Sequence, residues 1–292
     1  MKGNTAFKPR LALRRRVELA VAVALFIATF VGIVVLLTLI VVILQKGLPW
    51  LDWDFITGTP SRFPEKSGFK PAIVGSLWLI ALTALFAIPL GVGGAIYLEE
   101  YARKNMITRL IQVNIGTLAG IPSVLYGVLG LALFVRFLGF GRSLLSGALT
   151  MTLLILPVII ISTQEALRSI PYTLREAAFA LGATRWQVIA GQLLPAAAPG
   201  IFTGLILSLS RALGETAPLL MIGALTFVTF LPESLFDPFT VMPIQIFNWT
   251  SRPQEAFRGV AAAGIIVLLV FLLLMNASAI YLRNYFERHR PR

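Results

Sequence analysis

Two opposite charges stand close together within a long apolar stretch of the sequence. Arg211 and Glu215 lie four residues apart in the run Arg-Ala-Leu-Gly-Glu-Thr-Ala-Pro, which ends at Pro218. On a helix this spacing puts both side chains on one face, where they can pair. A guanidinium also offers planar, forked donors that suit a tetrahedral oxyanion. The run therefore predicts either a neutralised pair that permits helix packing or one wall of an aqueous path for an anion.

The position of this pair favours the path. A charge in the middle of a membrane span costs about 2.5–3.5 kcal/mol on insertion scales, and charges retained there are functional by default. Arg211 is the only basic residue in the middle of a predicted span. We therefore predict that Arg211, Glu215 and Thr216 line the substrate path, with Pro218 interrupting the helix just beyond. Glu215 would repel an anion, so it either holds Arg211 in place or competes for it.

A second polar stretch, from Gln164 to Pro195, predicts two helices outside the lipid. Pro171 can open the first helix because that position needs no backbone donor. Residues 172–181 contain good helix formers, including three alanines. Gly182 suits the left-handed conformation that ends a helix.

The second half of this stretch carries its own helix signal. Thr184 and Gln187 have the spacing of a capping box, which predicts the start of a short second helix. Pro195 is expected to stop that helix or to begin the next element. The stretch is then helix, glycine bend and helix, and an ordinary surface hairpin between two spans is the alternative.

This stretch resembles the EAA loop that marks the membrane subunits of ATP-binding-cassette importers. The matching residues are Glu176, Ala177, Ala178, Gly182, Leu194 and Pro195. Gln192 stands where the family usually has Ile. In that family the loop docks in a cleft of the ATP-hydrolysing subunit. The resemblance implies that Glu176, Ala177, Ala178 and Gly182 couple this chain to a separate ATPase.

Composition excludes a soluble protein and several kinds of site. The 292 residues are 57% hydrophobic and only 13% charged, which indicates an integral membrane protein with helical spans. There is no cysteine for disulfides or thiolate metal sites. The one histidine, His289, lies near the end of the chain and is given no role. We predict no metal site and no catalytic residues, and no P-loop that would bind ATP is present.

The predicted fold is all-α with about six transmembrane helices and a cytoplasmic helical coupling loop. The predicted spans are residues 17–44, 72–98, 110–135, 144–163, from about 199, and 259–282. The predicted domains are a basic N-terminus (1–16), a permease domain (17–282) that includes the coupling loop (164–196), and a basic tail (283–292). The first apolar run is longer than the core of a cleaved signal peptide, so it predicts an uncleaved span.

The third predicted span contains a proline. Pro122 should kink this helix and free a backbone carbonyl. The spacing of Gly116 and Gly120 favours close helix packing nearby. A kink for packing is one interpretation, and a place for Pro122 and Ser123 on the substrate path is the other.

The distribution of basic residues predicts the orientation. The formal net charge is +12, and the proposed inner segments hold 16 of the 25 Lys and Arg residues, against eight in the outer loops. Both termini and the coupling loop are therefore predicted to be cytoplasmic. Basic loops of a membrane protein account for this charge, so no nucleic-acid partner is expected.

The charged run sharpens the resemblance. The segments 211–218, 171–178 and 242–247 are similar to the PstA-type permease of phosphate-specific importers, and the similarity extends from residue 72 to the end. Sulfate and molybdate permeases share an Arg-x-x-Gly-Glu pattern but usually continue with Phe-Gly. The resemblance implies a type I importer fold in the bacterial inner membrane, with phosphate as substrate. The alternatives are another oxyanion, or a transporter or channel without an ATPase.

The same resemblance implies a set of partners. They are a homologous PstC-type permease, two copies of a PstB-type ATP-binding subunit and a PstS-type phosphate-binding protein. ATP and Mg would bind to the ATPase, and this chain would hold no cofactor.

Overall fold

Every regular element in the computed structural model is a helix, within the described residues 11–224 and 227–288. The first ten residues of the predicted N-terminal segment and the last four of the tail, including His289, lie outside this part. The helices are α1 (Leu11–Gly47), α2 (Trp53–Thr57), α3 (Lys70–Ile96), α4 (Met106–Ala119), α5 (Ser123–Gly130), α6 (Leu144–Arg168), α7 (Tyr172–Ala180), α8 (Arg185–Val188), α9 (Leu194–Gly214), α10 (Ala217–Ile222), α11 (Met242–Thr250) and α12 (Ala256–Arg288).

Five of the described helical segments are long and apolar enough to cross a membrane, and the bent pair α4–α5 would make a sixth span. The segments are Val17–Trp50, Lys70–Tyr101, Leu144–Arg168, Arg185–Gly214 and Ala256–Tyr281, with the bent pair over Met106–Phe137. This number agrees with the predicted six. No residue in the apolar window of the first span is buried within the chain, and α1 packs mainly along α12.

Helix α6 is the centre of the bundle, and α3 and α9 both pack along it. Met151, Ile155 and Ile159 of α6 are fully buried. Glycines allow this close approach: a Cβ added to Gly91 of α3 would clash with Ile159, and one added to Gly204 of α9 would clash with Ser162. In lipid such small residues let dispersion forces hold helices together. This core therefore holds α3, α6 and α9 together.

Aromatic side chains form a second core at the end of the bundle opposite α7. The Phe55 ring stacks on Phe69 at 5.5 Å and lies 5.7 Å from Trp249. Only about 4% of Phe55 is exposed, whereas Trp53 is 75% exposed. Both residues lie on α2, which folds back against the start of α3, and Phe55 is on the side of α2 that packs into the aromatic core.

The segment between the fifth and sixth spans is partly helical. It contains the helix α11, in which Met242, Gln245 and Trp249 are fully buried. Arg252 follows α11, with its guanidinium 4.3 Å from the Phe257 ring. Burial lowers the pKa of Arg252. Pro243 lies in the first turn of α11, where no backbone donor is needed.

Candidate coupling hairpin and substrate path

The first helix of the predicted coupling loop forms as its local sequence indicates. Helix α7 begins directly after Pro171 and ends at Ala180. Gly182 adopts a φ of +82°, the left-handed conformation predicted for it. A Cβ at this position would meet no atom within 4 Å. The backbone conformation, and not crowding, is therefore the reason for glycine here.

The second helix begins as predicted but does not end at Pro195. Thr184 and Gln187 form a reciprocal capping box: the Thr184 hydroxyl accepts from the Gln187 N–H, and Gln187 Oε1 accepts from the Thr184 N–H at 2.8 Å. A π-helical turn, Ile189–Leu193, then leads straight into α9. A wide turn is a common place for a helix to absorb an irregularity, and the first turn of α9 tolerates proline. Pro195 lies in the first turn of α9, which agrees with the second alternative predicted for it, the start of the next element, and the helical path of the fifth span begins at Arg185.

The surface of this hairpin (residues 169–188) carries both charged and apolar side chains. Glu176 and Ala177 are exposed, and Ala178 is half-buried against the main core. Four large apolar side chains are exposed as well: Tyr172, Phe179, Leu181 and Trp186. A cluster of exposed apolar groups outside the spans is typical of a surface that contacts another protein.

Two ion pairs tie the hairpin and the adjoining end of α6 to the C-terminal end of α3. Arg175 pairs with Glu100 and Arg168 pairs with Glu99, each at 2.8 Å. Both carboxylates lie on the π-helical turn Tyr97–Tyr101, which extends α3. The predicted second span ended at residue 98, so the sequence placed both carboxylates outside it. Their charge, opposite to that of the two arginines, was the only signal for these contacts.

The pair Arg211–Glu215 forms, but in a different backbone setting from the one predicted. Arg211 Nε lies 3.3 Å from Glu215 Oε1. Helix α9 ends at Gly214, and Glu215 is extended, with φ −79° and ψ 122°. The two residues therefore do not share the face of one continuous helix, and Arg211 lies at a break between α9 and α10 instead of in the middle of a span.

The local sequence explains the position of this break. Pro218 lacks a backbone N–H, and its ring would clash with the Gly214 carbonyl in a continuous helix. The chain therefore leaves the helix at Glu215 and restarts at Ala217, so that Pro218 falls in the first turn of α10. Pro218 had been predicted to interrupt the helix just beyond the charged residues, and the interruption is present but begins earlier, at Glu215.

Arg211 is accessible despite its apolar surroundings. Its side chain is 44% exposed and that of Glu215 is 21% exposed, and Thr216 is half-buried. Lipid contact with such a cation is costly. The exposed face of Arg211 therefore suits water, an anion or a partner subunit. Among the described residues, no three acidic or histidine side chains are grouped as a metal ion would need.

The third span is broken far more sharply than a kink. Helices α4 and α5 meet at 105°, with Pro122 directly before α5 and Ser123 as its first residue. The Tyr126 hydroxyl donates to the Leu118 carbonyl at 2.8 Å, which bridges the bend. Sequence reasoning missed Tyr126, because a tyrosine in a span carries no signal for a contact across a turn.

The bend and the break lie next to each other. Helix α5 packs on α10 so closely that a Cβ on Gly127 would lie 2.7 Å from the Pro218 backbone. The Pro122–Ser123 bend and the Arg211–Glu215 pair are thus parts of neighbouring elements. The residues of the coupling hairpin lie elsewhere, at the other end of the 30-residue helical path Arg185–Gly214, which is about 45 Å long at 1.5 Å per residue.

Comparison with known proteins gives one consistent family. Residues 87–289 match the family described as "Binding-protein-dependent transport system inner membrane component". The chain is 32% identical over 274 residues to the phosphate transport system permease protein PstA of Xylella fastidiosa, covering 93% of this chain and 95% of that protein. It is 34% identical over 252 residues to the probable ABC transporter permease protein YqgI of Bacillus subtilis, covering 82% and 86%.

Solved structures share the fold at low sequence identity. A bacterial importer of the polysaccharide alginate aligns with a TM-score of 0.67 at 19% identity, covering 94% of this chain and 99% of the matched chain. The MetNI methionine transporter aligns with a TM-score of 0.58, also at 19% identity, covering 74% and 96%. The predicted type I importer fold is thereby confirmed.

These findings also fix the general role of the chain. It is a non-catalytic, multi-pass inner-membrane subunit, and a separate subunit hydrolyses ATP. Such a subunit works with an ATPase and a substrate-binding protein. From its helical spans, coupling hairpin and family match, the chain belongs to the binding-protein-dependent transport system inner membrane component family, the permease subunits of ATP-binding-cassette importers.

Proposed function

We propose that this chain is a PstA-type permease subunit that carries inorganic phosphate into the cell. The observation that carries the proposal is Arg211, a half-exposed cation at a helix break among apolar spans. Glu215 binds the Nε edge of Arg211. Among the described residues, the terminal nitrogens of Arg211 donate to no other protein atom, so their fork is open to a phosphate oxyanion. Several PstA relatives across most of the chain support phosphate as the substrate.

The partners follow from the same proposal. The permease domain (residues 17–282) would pair with a homologous PstC-type permease, and a PstS-type protein would deliver phosphate from outside. Two PstB-type subunits would bind ATP and Mg beneath the membrane, so this chain needs no cofactor of its own. Both termini would be cytoplasmic. The exposed surface of the coupling hairpin, with Glu176 and Ala177, would dock in the ATPase.

Reconstitution of the four-part transporter in liposomes tests this function. Radiolabelled phosphate should accumulate only with ATP and the binding protein, and excess sulfate or molybdate should leave the rate unchanged. Strong competition by sulfate or molybdate would indicate the alternative oxyanion permease. Phosphate uptake without ATP would instead indicate a transporter or channel that needs no ATPase.

A further inference from the structure

We propose that Glu100 and Arg175 are positioning residues that lock the coupling hairpin to α3, so that movement of the hairpin moves α3 as well. The proposal rests on the proposed function only in requiring ATP-driven import by the assembled transporter. In the described structure, the side chains of the EAA residues Glu176 to Gly182 make no hydrogen bond or ion pair to the side chains of Arg175 and Glu100. The lock is therefore a separate feature of the hairpin.

The contacts of Arg175 are nearly complete. Its Nε and Nη2 donate to the same Glu100 oxygen at 3.2 and 2.8 Å. Its Nη2 also donates to the Leu167 carbonyl at 3.0 Å, and its Nη1 donates to the Ile170 carbonyl at 3.2 Å. Arg175 thus joins the end of α6, the connection to α7 and the end of α3 through one guanidinium.

The neighbouring pair provides an internal reference. Arg168 and Glu99 meet at the same distance, 2.8 Å, but the Arg168 side chain is 52% exposed. The side chains of Arg175 and Glu100 are only 11% and 15% exposed. Exposed pairs contribute little because water screens them, whereas loss of one partner from a buried, hydrogen-bonded pair is costly. The Arg175–Glu100 pair is the less exposed of the two, so the loss of one of its partners should cost more.

Helix α3 leads from this lock toward Arg211. Glu100 lies on the π-helical turn that continues α3. At the far end of α3, Ser76 and Leu79 line a small internal cavity together with Ala212 and Leu213 of α9. These two α9 residues directly follow Arg211. The hairpin thus reaches the Arg211 region by two routes, directly through the helical path to α9 and through the Arg175–Glu100 pair to α3.

The two routes give the lock its function. If the hairpin is displaced by the ATPase, the continuous path moves α9 in any case. The lock makes α3 follow, so both helices beside Arg211 move together. Without the lock, part of the movement that the ATPase imposes would deform the hairpin instead of opening the substrate path. Some ATP would then be hydrolysed without transport.

The test is the ratio of ATP hydrolysed to phosphate imported by the complete transporter in liposomes. Glu100→Gln keeps the shape of the side chain and removes its charge. We expect this variant to assemble and to raise the ratio by roughly tenfold, as loss of a charge-assisted hydrogen bond would. Glu99→Gln is the matched control on the exposed pair, and its ratio should stay within about twofold of the parent.

A tethered variant separates positioning from folding. The chain has no cysteine, so Glu100→Cys combined with Arg175→Cys introduces a single reactive pair in this subunit. This double variant leaves no unpaired buried charge. Reduced, it should show the raised ratio; closed by a short bifunctional thiol cross-linker, it should return toward the parent value. If the two charges served only in packing, the cross-linker would not restore the ratio.

The outcomes are distinct. If assembled Glu100→Gln, or the reduced double variant, hydrolysed no more ATP per imported phosphate than the parent, the proposed lock would be wrong. Failure of both variants to assemble would overturn it too, since the pair would then build the hairpin and not couple it. A parent transporter that imports no phosphate contradicts the proposed function instead. In that case, parent and variants can still be compared by how strongly the binding protein stimulates their ATP hydrolysis.

Discussion

The coupling hairpin and the Arg211–Glu215 break both carry charge, but different interactions hold them. The hairpin is built by contacts between near neighbours: Pro171 precedes α7, Gly182 turns the chain and Thr184 caps α8. The break is held by α10 packing on α5, which is distant in sequence. Because the two regions are held by different contacts, variants at the two ends are expected to differ in the step that they affect first. Hairpin variants should change ATPase docking and coupling, and variants of the break should change substrate transfer.

The largest effect is expected at the break. Arg211→Leu removes the cation while retaining an apolar side chain that suits the surroundings. Loss of a desolvated charge contact of this kind should reduce phosphate uptake by about a hundredfold or more. The complex should still assemble and bind ATP, because Arg211 is half-exposed and contributes little packing. Uptake in liposomes and co-purification of the ATPase measure the two properties.

Arg211→Lys is the matched control, because it keeps the charge and loses the planar fork. It should retain part of the uptake. Normal uptake in Arg211→Leu would exclude Arg211 from the path. Collapse of assembly would instead favour the interpretation that the Arg211–Glu215 pair serves packing.

A smaller effect is expected at the hairpin bend. Gly182→Val forces a β-branched residue into the left-handed region, which costs about 1–2 kcal/mol for an ordinary residue. We expect roughly tenfold weaker association with the ATPase, measured by titration in detergent, since 1.4 kcal/mol is a factor of ten.

Two variants calibrate this result. Asn tolerates the left-handed conformation, so Gly182→Asn should restore most of the association. Gly191 is also exposed with open space around it but has no positive φ, so Gly191→Val adds the same side chain without the backbone strain. Equal losses in Gly182→Val and Gly191→Val would show that bulk, and not the bend, matters.

The bend in the third span should respond more mildly. Tyr126→Phe removes the hydroxyl that donates to Leu118 across the 105° turn. A neutral hydrogen bond contributes about 0.5–1.5 kcal/mol, so uptake should fall roughly threefold while ATPase association is unchanged. Tyr97→Phe is the control, because Tyr97 is 60% exposed and no hydrogen bond of its hydroxyl is seen in the described structure. If Tyr126→Phe also weakened association with the ATPase, the two regions would not affect different steps.

The smallest effect is expected at Glu176, which is exposed and has no ion-pair partner among the described residues. Glu176→Gln should leave the thermal stability of the isolated chain unchanged and weaken ATPase association by about twofold, the range of exposed ion pairs. The difference from the parent should shrink at high salt. A drop in melting temperature without a change in association would place Glu176 in the fold instead of the interface.

The sequence by itself determined the elements that depend on composition and near neighbours. Apolar length predicted the six spans, and the hairpin followed from Pro171, Gly182 and the Thr184 capping box. These signals are local, because a backbone donor, a positive φ or a run of apolar residues needs no distant partner. The Arg-x-x-x-Glu spacing also predicted the Arg211–Glu215 contact.

Only the tertiary structure decided where that contact lies and what surrounds it. Long-range packing sets the side-by-side arrangement of α5 and α10, and it turns an expected kink at Pro122 into a right-angled bend. It also buries Arg175 against Glu100, a pairing between segments that are separated by two membrane spans. A charged side chain away from water needs an oppositely charged partner, and the sequence indicates that need. Because any residue of the opposite sign could serve, only the fold decides which residue becomes the partner.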